Sequence, residues 1–429
     1  MKRRSTAAGA FLSLILILAG CGGGDSSHSP TPTPQPTPGP NGSFAPESST
    51  ATMNTDREDA TATLLPNGKV LIAGGVSESG DLGTVELYDP AANSFAPPGS
   101  TPLMNQGRWD ATATLLANGK VLIAGGISFN AATGETILNT VELYNPATNT
   151  FAPATSLPTM NTARDDATAV LLYNGEVLIA GGSGSSGSLN SVELYDPVAN
   201  TFAPAASLPT MNAIRDSPSG TLLPNGEVLV AGGFEKFLIP PDEAIADTVD
   251  LYNPVTNTFA PAASLPTMNT PRVGAPATLL ASGEVLITGG ATSNITIVSG
   301  TTSVASVDLY NPMTNSFAPA ASLPTMNTAR EFPTATLLSN GKVLIAGGTN
   351  VNLSDPTNPV LTVLASVEIY DPTTNSFAPA ASLPTMNTGR SGATATLLPN
   401  GKVLIAGGGE NAGNIFSSTE LYTPATGAP

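Results

Sequence analysis

The chain is poor in the side chains that most often do chemistry. Its 429 residues include one cysteine, Cys21, one histidine, His28, and one tryptophan, Trp109, and charged residues make up 11%. A single cysteine allows no disulfide within the chain. With its lone cysteine and lone histidine near the N-terminus, the rest has no Ser-His-Asp or Cys-His arrangement, no thiolate zinc site and no histidine general base. Positive charge is scarce as well: 15 Lys and Arg face 32 Asp and Glu, a net charge of −17. Such a chain repels nucleic acid and anionic lipid headgroups. The apolar run over residues 11–18 is too short to cross a bilayer. The recurrent Gly-Gly pairs open loops with no helix following, so they are not phosphate-binding fingerprints. What is plentiful is Gly (43) and Pro (39), a composition suited to short strands joined by tight turns.

The first forty residues read as export and tether. Lys2, Arg3 and Arg4 precede the apolar run, the pattern of a signal peptide over residues 1–20. The string Leu18-Ala19-Gly20-Cys21 resembles the bacterial lipoprotein box. That resemblance implies acylation of Cys21, which becomes the mature N-terminus, and Gly22 points to the outer membrane. Acyl chains hold a protein to a membrane at about 0.8 kcal/mol per buried methylene. Residues 21–41, Gly/Ser-rich and then Thr-Pro-rich, cannot build a core and read as a linker. Loss of Lys2, Arg3 and Arg4 takes the net charge from −17 to −20.

Residues 42–429 are dominated by an internal repeat. Seven arginines (Arg57, Arg108, Arg164, Arg215, Arg272, Arg330 and Arg390) are each followed 18 residues later by the second glycine of a pair. A tyrosine comes next, from Tyr88 to Tyr422, and in six units a phenylalanine, from Phe95 to Phe377, lies 7 residues after it. Each unit predicts four strands. Strand a follows the Arg, strand b is the KVLIAG-like run, strand c is Val-Glu-Leu-Tyr or a near copy, and strand d carries the Phe. Between strands a and b stands Asn-Gly, or Ser282-Gly283, which predicts a two-residue type I′ turn. Seven such sheets bury their faces only when packed radially. The last unit lacks its Phe, whereas Ser43-Phe44-Ala45-Pro46 matches the segment from Ser94, and Phe44 lies 13 residues before Arg57 as Phe95 does before Arg108. The predicted fold is therefore all-β: a seven-bladed propeller with four antiparallel strands per blade, the last blade closed by the N-terminal strand.

The paired glycines after strand b, the Tyr of strand c and the aromatic 7 residues later resemble the kelch family over the whole region from Asn41 onward. Phe stands where that family usually has Trp. Kelch propellers include galactose oxidase-like enzymes, and that resemblance would imply a copper site of two histidines and a tyrosine crosslinked to a cysteine. With only His28 and Cys21 on offer, the expectation is a binding or scaffolding module and no enzyme, with no cofactor and no metal.

Only the stretch from the glycine pair to the Tyr varies, from 13 to 22 residues, so every insertion falls in the b–c loop. The b–c and d–a loops share one face, the expected binding surface. Blades 4 to 6 have the longest loops, carrying Phe234, Phe237, Leu238, Ile239, Ile295, Ile297, Val298, Val351 and Leu353. The seven arginines sit before strand a, near the channel mouth; each either joins an anion-binding ring or bonds a neighbouring blade. The residues after them (Glu58-Asp59, Trp109-Asp110, Asp165-Asp166, Asp216, Val273, Glu331-Phe332 and Ser391) make a mixed acidic mouth suited to a cation or a sugar. The candidate ligand face is thus Arg108, Trp109, Asp110, Arg164, Asp165, Asp166, Phe234, Phe237, Arg330, Glu331 and Phe332. The expected partner is a protein or a glycan, with no nucleic acid, membrane contact through the lipid alone, and a monomeric state. A carbohydrate-active enzyme using rim carboxylates and a purely structural envelope protein remain as alternatives.

Overall fold

The computed structural model describes residues 39–130, 134–236, 243–293, 301–352, 360–410 and 413–425. The signal peptide, Cys21 and the linker to residue 38 lie outside them, as do Phe237, Leu238, Ile239, Ile295, Ile297, Val298 and Leu353. The described chain forms seven four-stranded antiparallel sheets. In blade 1 strands a to d are Thr61–Leu64, Val70–Ala73, Val85–Asp89 and Ser94–Phe95. The pattern repeats with strands b at Val121–Ala124, Val177–Ala180, Val228–Ala231, Val285–Thr288, Val343–Ala346 and Val403–Ala406.

Strand b is buried on both faces in every blade, which is why its sequence is a continuous apolar run without alternation. Its two faces serve different neighbours. Leu71 and Ala73 of blade 1 join Val121, Ile123 and Tyr144 of blade 2, whereas Val70 and Ile72 join Leu404, Ala406 and Leu421 of blade 7. The core is thus a series of interfaces between successive blades, closed into a ring. Ring closure is made by Ser43–Phe44, which pairs with Thr423 and Tyr422 as strand d of blade 7.

Each blade also seats its Tyr on its Phe, with ring centroids 5.2 Å apart for Tyr88 and Phe95 and 5.3 Å for Tyr422 and Phe44. The Tyr88 hydroxyl donates to Asn93 Oδ1, and Asn93 Nδ2 donates to the Ser49 carbonyl beside the preceding blade. In blade 7 the Tyr422 hydroxyl donates to the Asn41 carbonyl and Asn41 Nδ2 reaches Ser382, so Asn41 does the work of the missing turn asparagine.

One local expectation is corrected. The a–b turns are not type I′. Leu65 N donates to the Lys69 carbonyl and Gly68 N to the Leu65 carbonyl, and of the turn residues only Gly68 has positive φ, at 81°. Pro66-Asn67-Gly68 is therefore a three-residue loop ending in a left-handed Gly, a geometry that also accepts Pro at its first position. Six of the b–c loops fold into two-stranded hairpins, from Val76–Ser77 with Gly80–Asp81 in blade 1 to Thr349–Asn352 with Val360–Val363 in blade 6.

Candidate functional site

Two adjacent residues after each arginine part ways, and this builds the channel mouth. The first of them pairs its backbone with the root of the b–c hairpin: Glu58 with Val76, Trp109 with Ile127, Asp165 with Ser183, Asp216 with Phe234, Glu331 with Thr349. The second turns into the channel with positive φ: Asp59 (53°), Asp110 (51°), Asp166 (49°), Ser217 (53°), Gly274 (61°), Phe332 (50°) and Gly392 (61°). Backbone hydrogen bonds run around this ring. Asp59 N donates to the Gly392 carbonyl, Asp110 N to Asp59, Asp166 N to Asp110, Ser217 N to Asp166 and Phe332 N to Gly274, at 2.9–3.2 Å. A left-handed conformation is ordinary for Gly and tolerated by Asp, but costs on the order of 1–3 kcal/mol for a bulky residue such as phenylalanine. Phe332 is 39% exposed and lays its ring over Gly274, where even a Cβ would collide with it.

The mouth opens into a cavity of 920 Å³ walled by this ring and by b–c loops that bring Glu78, Asp81, Phe129, Glu135 and Ile415. Phe129 is exposed. Carboxylates crowd the space. Asp59, Asp110 and Asp166 keep part of their surface open to the channel, but its walls displace most of the surrounding water. Desolvation and the neighbouring Glu58 push Asp59 up to about 7. Asp110 is pushed well above the usual carboxylate range by desolvation, then by Asp166, Asp59, Asp165 and Glu58. Asp166 is raised likewise by desolvation, Asp216, Asp165 and Asp59. Desolvation alone brings Glu331 to about 7. Among the described residues no three His, Cys, Asp or Glu side chains are grouped as metal ligands.

The arginines form no anion-binding ring. Arg108, Arg164 and Arg330 are 0–1% exposed and leave the candidate ligand face. Their partners belong to their own blade, and not to a neighbouring one. Arg108 Nη1 donates to the Gly125 and Thr140 carbonyls, and Nη2 to Thr140 Oγ1 and Glu142 Oε1. Burial pulls the Arg108 guanidinium down to about 10, with Glu142 opposing. The Arg backbone also locks successive blades: Gly75 N donates to the Arg108 carbonyl, and a Cβ on Gly74 would strike that oxygen, which is why the pair is glycine.

Of the other candidates, Trp109, Asp110, Asp166 and Phe332 do line the mouth. Asp165 and Glu331 are buried beneath the hairpins, each 4% exposed, and Asp165 borders the cavity. Phe234 packs on Ile245 of its own hairpin and on Val273 and Ala291 of blade 5, so it joins two hairpins and is no docking side chain. Asp59, expected in the acidic mouth but left off the candidate face, lines it too, as do Phe129, Glu78, Asp81 and Glu135, which the sequence reading did not name. Asp59 carries the same signal as Asp110, since it stands two residues after Arg57 as Asp110 does after Arg108. The hairpin residues had no such signal.

Three stretches, residues 112–158, 167–209 and 333–384, match the Kelch motif. Spermatocyte protein spe-26 of Caenorhabditis elegans is 27% identical over 135 residues, which is 31% of this chain and 22% of that protein. The chain thus matches about a fifth of that relative's length. A fungal alcohol oxidase of the AA5 family, solved in complex with copper, superposes with a TM-score of 0.65 at 18% identity, over 89% of this chain and 76% of the oxidase. At that identity the likeness is one of fold. The mouth does not fit a copper site of the galactose oxidase kind, because its donors are carboxylates: the chain's lone histidine and cysteine lie outside the described residues.

Proposed function

We propose that this chain is an exported binding module of the bacterial envelope, tethered by lipid on Cys21, that takes a protein or glycan partner at the channel mouth and its hairpin rim. It acts as a scaffold without turnover. One observation carries this reading: an invariant frame presents a varied rim, and within that rim two exposed phenyl rings, Phe129 and Phe332, stand among Asp59, Asp110 and Asp166. Aromatic faces beside carboxylates suit a sugar ring or a cationic protein side chain. Strain held at Phe332 is expected where a site needs that ring in place.

The test is Phe332→Gly, which removes the ring and relieves the left-handed strain. Envelope proteins and glycans are screened against the full chain, and the ligand found is titrated against the variant. The expected result is a fold at least as stable as the parent with affinity lowered about tenfold or more, the scale of one lost stacking contact. Unchanged affinity sinks the mouth as the site. For the tether, Cys21→Ser is expected to move the protein from the membrane to the soluble fraction; retention at the membrane removes the anchor.

A second reading, hydrolysis at the mouth, has one observation in its favour: adjacent carboxyls whose ionisation is pushed up to different extents by burial and by each other are the equipment of glycoside hydrolysis. Glycan turnover abolished by Asp110→Asn or Asp166→Asn would replace the binding reading.

A further inference from the structure

The opposite face, made by the a–b and c–d turns, is divided into two halves of different chemistry. The residue after the a–b turn glycine is Lys in blades 6, 7, 1 and 2 (Lys342, Lys402, Lys69 and Lys120) and Glu in blades 3, 4 and 5 (Glu176, Glu227 and Glu284). The c–d turn tips follow the same division. Blades 1, 2 and 6 have Ala91, Ala147 and Thr373, whereas blades 3 to 5 have Val198, Val255 and Met313, which are 95%, 92% and 91% exposed. Tyr173, 72% exposed, adds a fourth apolar side chain to the glutamate half. Single exposed apolar residues need no explanation, but four confined to adjacent blades mark a contact surface.

The charges are unbalanced within each half. Lys69 and Lys342 meet Asp89 and Asp371 at 3.1 Å, but the corresponding neighbours of Lys120 and Lys402 are Asn145 and Thr423. In the other half Glu176 shares its blade with Asp196, and among the described residues no ion pair joins Glu176, Glu227 or Glu284 to a cation. With all seven arginines buried, the four turn lysines are the only cations reaching solvent among the described side chains. The cation best placed to meet the glutamate half is therefore this protein's own lysine half.

We propose that this face is a self-association surface, on which the Glu and apolar half of blades 3 to 5 docks against the lysine half of a second copy. The geometry of a seven-bladed wheel permits it. Blade 4, the centre of the glutamate half, lies opposite the junction of blades 7 and 1, the centre of the lysine half. A two-fold axis lying in the plane of the face exchanges the two halves, so each contact occurs twice, as an isologous dimer requires. A cavity of 560 Å³ between blades 3 and 4, lined by Tyr173, Glu227, Pro254 and Val255, fits an incoming lysine, its methylenes on the tyrosine and its ammonium at the carboxylate. The surface lies across the molecule from the mouth and does not depend on what the mouth binds.

Sedimentation of the full chain in detergent tests this. The expected result is a dimer whose dissociation constant rises about tenfold or more between about 0.05 and 0.5 M salt. Two sector reversals follow, one with Glu176, Glu227 and Glu284 changed to Lys, the other with the four turn lysines changed to Glu. Each is expected to be folded, with parental thermal stability, and monomeric alone, and the two mixed are expected to dimerise with each other. A parent that stays monomeric at about 100 μM, a dimer that survives either reversal, or folded reversals that fail to pair when mixed overturns the proposal.

Discussion

The seven buried arginines show how one side chain settles an otherwise costly arrangement. A buried guanidinium is tolerable only with a carboxylate and further acceptors around it. Here the acceptors are the first glycine carbonyl and the residue before strand c, and the carboxylate is the second residue of strand c. Its length decides which nitrogen is served. Glutamates leave Nε of Arg57, Arg108, Arg164, Arg330 and Arg390 without a partner, whereas Asp250 and Asp308 reach Nε of Arg215 and Arg272 at 2.9 and 2.7 Å. Blade 5 departs from the repeat at one more position. Thr288 stands where the other blades have Ala73, Ala124, Ala180, Ala231, Ala346 and Ala406, and its hydroxyl is buried without a hydrogen-bond partner. Replacing it with the same-shaped Thr288→Val is expected to stabilise the fold by about 1 kcal/mol, the desolvation cost of an unmade hydrogen bond. A urea titration reads this as a raised midpoint at unchanged slope; a lowered midpoint would mean that the hydroxyl has a partner.

At the scale of the strand, the closing segment carries more than its length suggests. Phe44 is buried, whereas the six other strand-d phenylalanines are only half-buried. Asn387 Nδ2 donates to the Ala45 carbonyl and Thr419 Oγ1 to the Ala51 carbonyl, so polar contacts from blade 7 and the loop before it depend on this segment. Phe44→Ala is expected to cost about 3–5 kcal/mol, the range for emptying a buried aromatic site, and more than Phe317→Ala. Equal losses in denaturant titrations of the two variants would show that the latch is no weaker point than any other blade. This closure was legible in the sequence because Phe44 kept both its neighbours and its 13-residue distance to Arg57. So were the four strands, since each buries a face whose residues repeat seven times. The b–c hairpins were not, because Ser183–Gly184 or Ala291–Ser293 carry no alternating apolar pattern: these strands are two or three residues long and what they bury is small, Ser183 and Ala291 among it. The turn type was misread for a related reason. Asn-Gly occurs in both two-residue and three-residue loops, and what separates them is the register of Leu65 against Lys69, which a sequence does not display.

For the whole molecule, the ring of the mouth turns a local crowding of carboxylates into a property of the fold. Seven separate blades each send one residue to the same channel mouth, and three of these, Asp59, Asp110 and Asp166, are acids with raised pKa. Glu58 and Glu331 behind them are raised as well. In the unfolded chain these groups ionise near 4. Between that value and about 7, where Asp59 and Glu331 ionise in the folded state, the native protein holds more protons than the unfolded one. Stability therefore falls as pH rises through this window, and Asp110 and Asp166, raised well above the usual carboxylate range, act in the same sense. Asp89 and Asp371, held low by their lysines and turn hydrogen bonds, contribute in the opposite sense only at lower pH. The propeller is thus expected to melt at a higher temperature near pH 5 than near pH 8, the reverse of ordinary acid destabilisation. Combining Asp59→Asn, Asp110→Asn and Asp166→Asn is expected to flatten the profile and raise the melting temperature near pH 8, because uncharged amides keep the ring without its mutual repulsion. A melting temperature that climbs from pH 5 to pH 8, or a triple variant with the parent's slope, would place the proton uptake elsewhere in the molecule.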